Sequence, residues 1–247
     1  MHPIGLTFSI AAHSAWAPGI NTPQEWDRWT QTPCRIGEGP DPALRAMPAM
    51  LRRRAGALGK MALEVAYDCL GERRDVPTVF VSRHGEVARA IGLLGELARG
   101  EALSPTAFGL AVHNASAGLF SIARADRANH IALAAGQATI EHGVIEACGL
   151  LADGAPMVLL IACDAPLPQP LAPFQDCDEQ PYAWAWLMTA PADDAISLTL
   201  GAADDGTAAP DPAARPAGLA VLHFQRSGAR RFEHVCGSQR WTWSRDA

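Results

Sequence analysis

The stretch His130-Ile131-Ala132-Leu133-Ala134-Ala135-Gly136-Gln137-Ala138-Thr139, continued as a 13-residue run from Ile140 to Ala152, decides how the rest of the chain is read. Residues 130–135 are apolar or small and carry no acidic or basic side chain beyond His130, the composition of a buried strand. From residue 140 onward Ile140, Val144, Ala147, Cys148 and Leu151 recur at helical spacing. A strand therefore turns sharply into a helix at Gly136-Gln137. Elbows of this kind are where many α/β enzymes expose a nucleophile, beside helix N–H groups that favour negative charge. The exposed position here carries Gln137, which is no nucleophile.

Outward from the elbow, residues 157–163 form a continuous apolar run bounded by Asp153-Gly154 and Asp164-Ala165-Pro166. A strand of that composition needs cover on both faces, as in the centre of an α/β sheet. Residues 76–82 are a second short apolar strand, closed by Arg83-His84-Gly85, and residues 4–12 read as the opening strand. Trp16, Trp26 and Trp29 punctuate a loop-rich segment and are expected in the core. Residues 48–70 give the strongest helix, with Leu51, Leu58, Met61, Ala62 and Val65 on the 3.6 period and Gly71 as its stop. Arg52, Arg53 and Arg54 fall in its first half, where positive charge opposes the helix dipole. They form either a solvated face or a docking point for an acidic carrier protein. Residues 86–99 read as a further helix, Ser104-Pro105 as the cap and first turn of the next. Residues 108–125 read as one or two helices, with Asn114 and Gly118 marking a break or a close backbone approach.

After the central strand, residues 166–180 read as a loop and residues 182–189 and 195–200 as paired strands. Residues 201–218 read as a flexible loop, and 219–224 and 240–243 as edge strands. The whole is expected to be one α/β domain over residues 1–247, a layered sheet with helices on both faces.

Composition narrows the function classes. With 49% hydrophobic and 19% charged residues the chain is an ordinary globular protein, and a net charge of −6 makes it a poor general ligand for nucleic acid or anionic membrane. Six cysteines are scattered without CxxC or zinc spacing. Free thiols in a reducing cytoplasm are expected, with no metal and no cofactor. Residues 1–19 lack a basic n-region and no run nears the ~20 apolar residues that span a bilayer, so neither a targeting signal nor a membrane span is expected.

Ser104-Pro105, Asn114, Ala117-Gly118 and then Gln137 follow one another without a gap, and the collinearity extends to Ala147. In this arrangement the sequence resembles the ketosynthase branch of the thiolase-like condensing enzymes. Weaker likeness runs through residues 48–66, including the arginine triplet, and 155–164, so that the resemblance covers about residues 43–190. It implies a thiolase-like layered fold, N-terminal half only, with Gln137 standing where the family keeps its acyl-accepting cysteine. A glutamine there is similar to the chain-length-factor subunits of ketosynthase heterodimers, including truncated members of the aryl-polyene and xanthomonadin type.

The family's two catalytic histidines lie in His-Gly-Thr and Asn-His motifs of its second half. His84-Gly85 and His142-Gly143 match neither, so nucleophile and both histidines are missing together. No G-x-S-x-G, P-loop, GxGxxG or HExxH motif offers another chemistry. His142 is expected at the surface, and His113 in an interface or the core. The resemblance implies a non-catalytic subunit that pairs with a complete ketosynthase, meets acyl carrier protein indirectly and shapes its partner's acyl tunnel. Candidate tunnel and interface positions are Phe108, Val112, His113, Asn114, Ile131, Leu133 and Gln137. Arg52, Arg53 and Arg54 are the candidates for carrier docking. The strand at residues 130–135 pairs across the dimer in this family. Alternatives are a malonyl-carrier decarboxylase that uses the Gln137 amide, and a thiolase-fold binding module without a ketosynthase partner.

Overall fold

Alternate residues of the run 182–188 feed two different cores, as the period of a strand buried on both faces requires. Tyr182, Trp184, Trp186 and Met188 enter one, and Ala183, Ala185 and Leu187 the other. The computed structural model describes residues 4–203 and 211–245. Its strands are β1 (Ile4–Trp16), β2 (Thr78–Val81), β3 (His130–Leu133), β4 (Val158–Asp164), β5 (Tyr182–Thr189), β6 (Ile196–Ala202), β7 (Arg231–Cys236) and β8 (Gln239–Arg245). They form one eight-stranded sheet in the order β3-β2-β4-β5-β1-β6-β8-β7. β3, β2 and β4 are parallel, and every later pairing is antiparallel.

The helices are α1 (Pro23–Gln31), α2 (Ala49–Arg52), α3 (Ala57–Leu70), α4 (Val87–Ala98), α5 (Pro105–Gly109), α6 (Ala115–Arg124), α7 (Thr139–Ala152) and α8 (Ala217–Ser227). The aromatic core is covered by α7 through Ile140, Val144 and Ala147, by α8 through Leu219, Leu222 and Phe224, and by Trp26 and Trp29 of α1. On the opposite face α3 and α6 bring Met61, Ala62, Val65, Leu119 and Phe120 onto Leu159 and Ile161 of β4. Helices therefore lie on both faces of the sheet. Among the described residues no helix is long and apolar enough to cross a membrane.

The expected central strand is β4, buried along its whole length, and the three tryptophans are buried as expected. The break in residues 108–125 is also present, because α5 stops at Gly109 and α6 starts after Asn114. Ser104 caps α5 through its hydroxyl, which accepts the Ala107 N–H.

Other expectations change. Residues 182–189 and 195–200 do not pair with each other: β1 lies between them, its first half bonded to β6 and its second to β5. A bulge between Ile10 and Ala12 divides the two halves. Residues 219–224 belong to helix α8, not a strand. Their apolar run is too short for periodicity to decide, and the flanking signals settle it: Pro216 precedes the first turn and Gly228 closes the helix in the left-handed region. The segment 240–243 lies in β8, which is interior because β7 pairs outside it. Helix 48–70 is broken, so that Arg53 and Arg54 fall in the turn between α2 and α3. Of the expected loop 201–218, residues 201–202 end β6 and 217–218 begin α8, while 204–210 lie outside the described residues. Strand β3 is half-buried rather than buried, since it is the edge of the sheet.

Helix α7 approaches the sheet closely at Gly143, where a Cβ would lie 2.6 Å from Val81 Cγ1 and 3.1 Å from Leu160 Cδ1. Gly143→Ala is expected to lower stability by ~1–3 kcal/mol through overpacking. Adding Val81→Ala should recover part of that loss, so that urea denaturation of the two single variants and the double variant gives a non-additive cycle. Additive losses would contradict the close contact.

Candidate functional site

The elbow is built as the sequence predicts. Gly136 has φ of 58°, a value that favours glycine, and residues Gly136–Ala138 make a single 3₁₀ turn before α7. Thr139 fastens it: its hydroxyl donates to the Gly136 carbonyl at 2.7 Å and accepts the Ala135 N–H at 3.0 Å. Gln137 is thereby held at the C-terminal end of the parallel strands, where open α/β sheets place their sites.

What surrounds it is a closed polar network. The Gln137 amide nitrogen donates to Asp176 Oδ2 at 3.0 Å, and Arg83 donates to Asp176 Oδ1 at 2.6 Å and to Cys177 Sγ at 3.2 Å. Burial alone would raise the Asp176 carboxyl, but the Arg83 hydrogen bond and charge, aided by Gln137, hold it below the usual carboxylate range. Behind this pair lies Asp164, which accepts from Ser82 Oγ, the Arg83 backbone N–H and Tyr182 OH. Neighbouring His84 and the Leu167 and Gln175 nitrogens converge on Glu179.

A cavity of about 240 Å³ adjoins Gln137, lined by Arg83, Asp176, Cys177, Arg215 and His234 among others. His234 reaches the cavity although the sequence reading did not single it out. It comes from β7, in no ketosynthase motif, and its Nδ1 is 2.8 Å from Glu141 Oε1. Glu141, expected beside a surface histidine, is 0% exposed and also accepts from Trp243 Nε1. Its neighbour His142 is half-buried rather than at the surface, with its ring packed edge-on against Trp241 and Nδ1 on the Ala138 carbonyl.

Among the described residues no thiol at the site is activated. Cys177 is the thiol in the cavity, and burial pushes it up to about 11 in spite of Arg83, so it stays protonated. Buried Cys69 and Cys148 are likewise held at about 12 and about 11 by desolvation. Among the described residues no group of three His, Cys, Asp or Glu is placed to hold a metal ion.

The remaining candidates fall into two groups. His113 meets β3 at Leu133, and Ile131 lies in the same strand; Phe108 lies in α5, and Val112 and Asn114 in the segment between α5 and α6. The His113 imidazole Nε2 lies 3.2 Å from the Leu133 carbonyl and packs on Gly85, where a Cβ would come within 2.5 Å of the ring. Phe108 and Val112 are 63% and 39% exposed, so neither is a core residue, and Asn114 is exposed ahead of α6. Arg52 is half-buried on the Leu44 carbonyl, whereas Arg53 and Arg54 are exposed. Arg83, Asp164, Asp176, Glu141 and His234 were not singled out from the sequence. The available signal was position: Arg83 and Asp164 each end an apolar strand at the carboxyl end of the sheet.

A sequence profile described as beta-ketoacyl synthase, N-terminal domain, matches residues 26–244. Among curated protein sequences none matches the chain. A chain of the structure described as a ketosynthase (ApeO) in complex with its chain length factor (ApeC) from Xenorhabdus doucetiae superposes with a TM-score of 0.86. The match covers 97% of this chain and 100% of that one at 28% identity. The ishigamide ketosynthase/chain length factor matches with a TM-score of 0.63 at 14% identity, over 91% of this chain and 74% of that one. A beta-ketoacyl synthase from Burkholderia phymatum matches with a TM-score of 0.60 at 11% identity, over 92% and 71%. At those lower identities the likeness is one of fold.

Because Asp176 is held low, its bond network adds stability that is fully present above the ordinary carboxylate value of 3.8 and is lost as pH falls through the lower folded value. Asp176→Asn should therefore be less stable than the parent at neutral pH, and the gap should close on acidification below about 4. Denaturation curves at a series of pH values measure this; a gap that is constant with pH would contradict the charged pair.

Proposed function

The chain belongs to the family of beta-ketoacyl synthase N-terminal domains, and on that premise we propose that it is a non-catalytic chain-length-factor subunit. It pairs with a complete ketosynthase and helps to shape its acyl tunnel. The domain acts as one unit, without cofactor, and meets acyl carrier protein through the complex. A polyene or related fatty-acid-like product is what this reading favours, from the resemblance of the sequence to aryl-polyene-type members.

The observation that carries the proposal is the bare edge at β3. Its residues Ile131 and Leu133 are half-buried, and among the described residues β2 is its one strand partner. An uncovered apolar edge is a template for another strand and a liability when left open. Pairing with a partner's strand covers it, and brings Phe108 and Val112 to the junction where a partner's acyl chain can reach them. Exposed Arg53 and Arg54, in a turn pinned by Arg89 bonding to the Arg54 carbonyl, are the positions proposed for an acidic carrier.

Gln137 supports the non-catalytic half of the proposal. Decarboxylation through its amide fits less well, because that amide already donates to Asp176. Gln137→Cys is expected to give no chain extension by the lone chain, measured with acyl and malonyl carrier substrates, because His234 in the cavity is held by Glu141 and neither ketosynthase histidine motif occurs in the sequence. Extension without an added partner would refute the proposal.

Interface and tunnel are tested separately. Leu133→Pro should abolish co-purification with the ketosynthase while circular dichroism stays that of the parent; a retained complex removes β3 from the interface. In an intact complex, Val112→Phe should shorten the product and Val112→Ala lengthen it, because an added ring overfills a close-packed wall at ~1–3 kcal/mol. Unchanged product length in both variants, read by mass spectrometry, removes Val112 from the tunnel; Phe108 is the second position to test.

A further inference from the structure

Helix α3 begins without a cap of its own. Its N-cap is Gly56, which has no side chain to accept the unpaired N–H groups of the first turn, and no acidic residue follows in that turn. The carboxylate that stands there comes from another part of the chain, from Glu86, the N-cap of α4. Glu86 is 9% exposed. A Cβ on Gly56 would lie 2.7 Å from Glu86 Oε2, and one on Gly59 would lie 3.1 Å from Oε1, so the bare first turn of α3 is what admits the carboxylate. Burial raises the Glu86 carboxyl, and Arg89, the Gly59 backbone N–H and the Ser116 hydroxyl of α6 act against the rise. An acid at this place serves α3 as a capping side chain would, at the positive end of the helix.

Arg89 carries the contact outward. Its Nε donates to Glu86 Oε2 at 3.2 Å and its Nη2 to the Arg54 carbonyl at 2.7 Å. One buried acid is thereby tied to the first turn of α3 and, through a single guanidinium, to the backbone of the turn that precedes it. The side chains of Arg53 and Arg54 on that turn are exposed. Their backbone is held while their charged ends are left to solvent.

We propose that Glu86, acting through Arg89, is a positioning residue that orders the Arg53–Arg54 turn for an acidic carrier protein. This role rests on the proposed docking of a carrier at Arg53 and Arg54. A loose turn must be fixed when the carrier arrives, whereas a turn already held loses little freedom on binding. The sign of the effect separates this role from simple charge. Removing a negative charge beneath a basic surface by itself favours an acidic partner, while losing the tie to Arg54 disfavours it.

The test uses the full chain reconstituted with a complete ketosynthase, and a fluorescein-labelled acyl carrier protein followed by fluorescence anisotropy. Arg53→Ala/Arg54→Ala should weaken binding by about tenfold, the loss that belongs to docking. Glu86→Gln should weaken it by about fivefold, a coupling of the size that contacting residues show. In the Arg53→Ala/Arg54→Ala background Glu86→Gln should cost nothing further, which a general loss of structure would not reproduce. Arg89→Lys keeps the charge but lacks the fork that reaches two acceptors, so it should also weaken binding, and it carries the comparison should Glu86→Gln fail to fold. Without any partner, trypsin should cut after Arg53 and Arg54 faster in Glu86→Gln and Arg89→Lys than in the parent. Parent-like or tighter carrier binding by these two variants while Arg53→Ala/Arg54→Ala is weakened, or parent-like cleavage, overturns the positioning role and leaves docking standing. Unchanged binding by Arg53→Ala/Arg54→Ala refutes docking at the turn, and the role of Glu86 falls with it.

Discussion

The carboxylate of Asp164 is buried at the end of the central strand β4, and the ends of three strands are ordered around it. Ser82 and the Arg83 N–H follow β2, and Tyr182 begins β5. Burial raises this carboxyl, and the three hydrogen bonds with the Arg83 charge work against that rise. Breaking a buried arrangement of this sort leaves an uncompensated group in low dielectric, so its partners are mutually dependent. Tyr182 passes the constraint to α8, whose Gly218 lies so close that a Cβ would stand 2.0 Å from the phenol oxygen. Arg83 passes it the other way, to Asp176 and so to Gln137. The elbow and the C-terminal helix are thus positioned from one buried charge.

A site can keep the geometry of an elbow without its chemistry. Here the turn, the glycine at positive φ and the following helix are all present. The side chain at its tip, however, is a half-buried amide that is bound to a carboxylate already bound to an arginine. A nucleophile needs a free, activated atom and a base within reach. Away from the elbow, β3 forms the edge of the sheet among the described residues. On the proposed function, such a subunit acts by surface shape and strand pairing rather than by proton transfer.

Patterns confined to one stretch of chain were legible in the sequence. The run 157–163 had to be a doubly covered strand, and the strand-to-helix turn at Gly136 followed from a change of period. The helix break at Asn114 followed from propensity. What was not legible depends on partners far apart in the chain. Arg83 meets Asp176, and Glu141 meets His234, across some 93 residues each. The insertion of β1 between β5 and β6 cannot be seen in two neighbouring strand patterns that look like a hairpin. Residues 219–224 misread as a strand because six residues hold less than two helical turns, and the decisive cues, Pro216 and Gly228, lie outside them. β3 read as buried because composition cannot tell a strand covered on both sides by its own chain from one at the edge of its sheet.

The central claim is that chemistry belongs to the partner and not to this chain. The most direct measurement reconstitutes the chain with a complete ketosynthase whose own nucleophilic cysteine has been replaced by alanine. Chain extension from acyl and malonyl carrier substrates is then followed by mass spectrometry. The account predicts a stable complex that makes no extended product, while the same chain with the unmodified partner restores it. Extended product from the pair lacking the partner's cysteine would contradict the account.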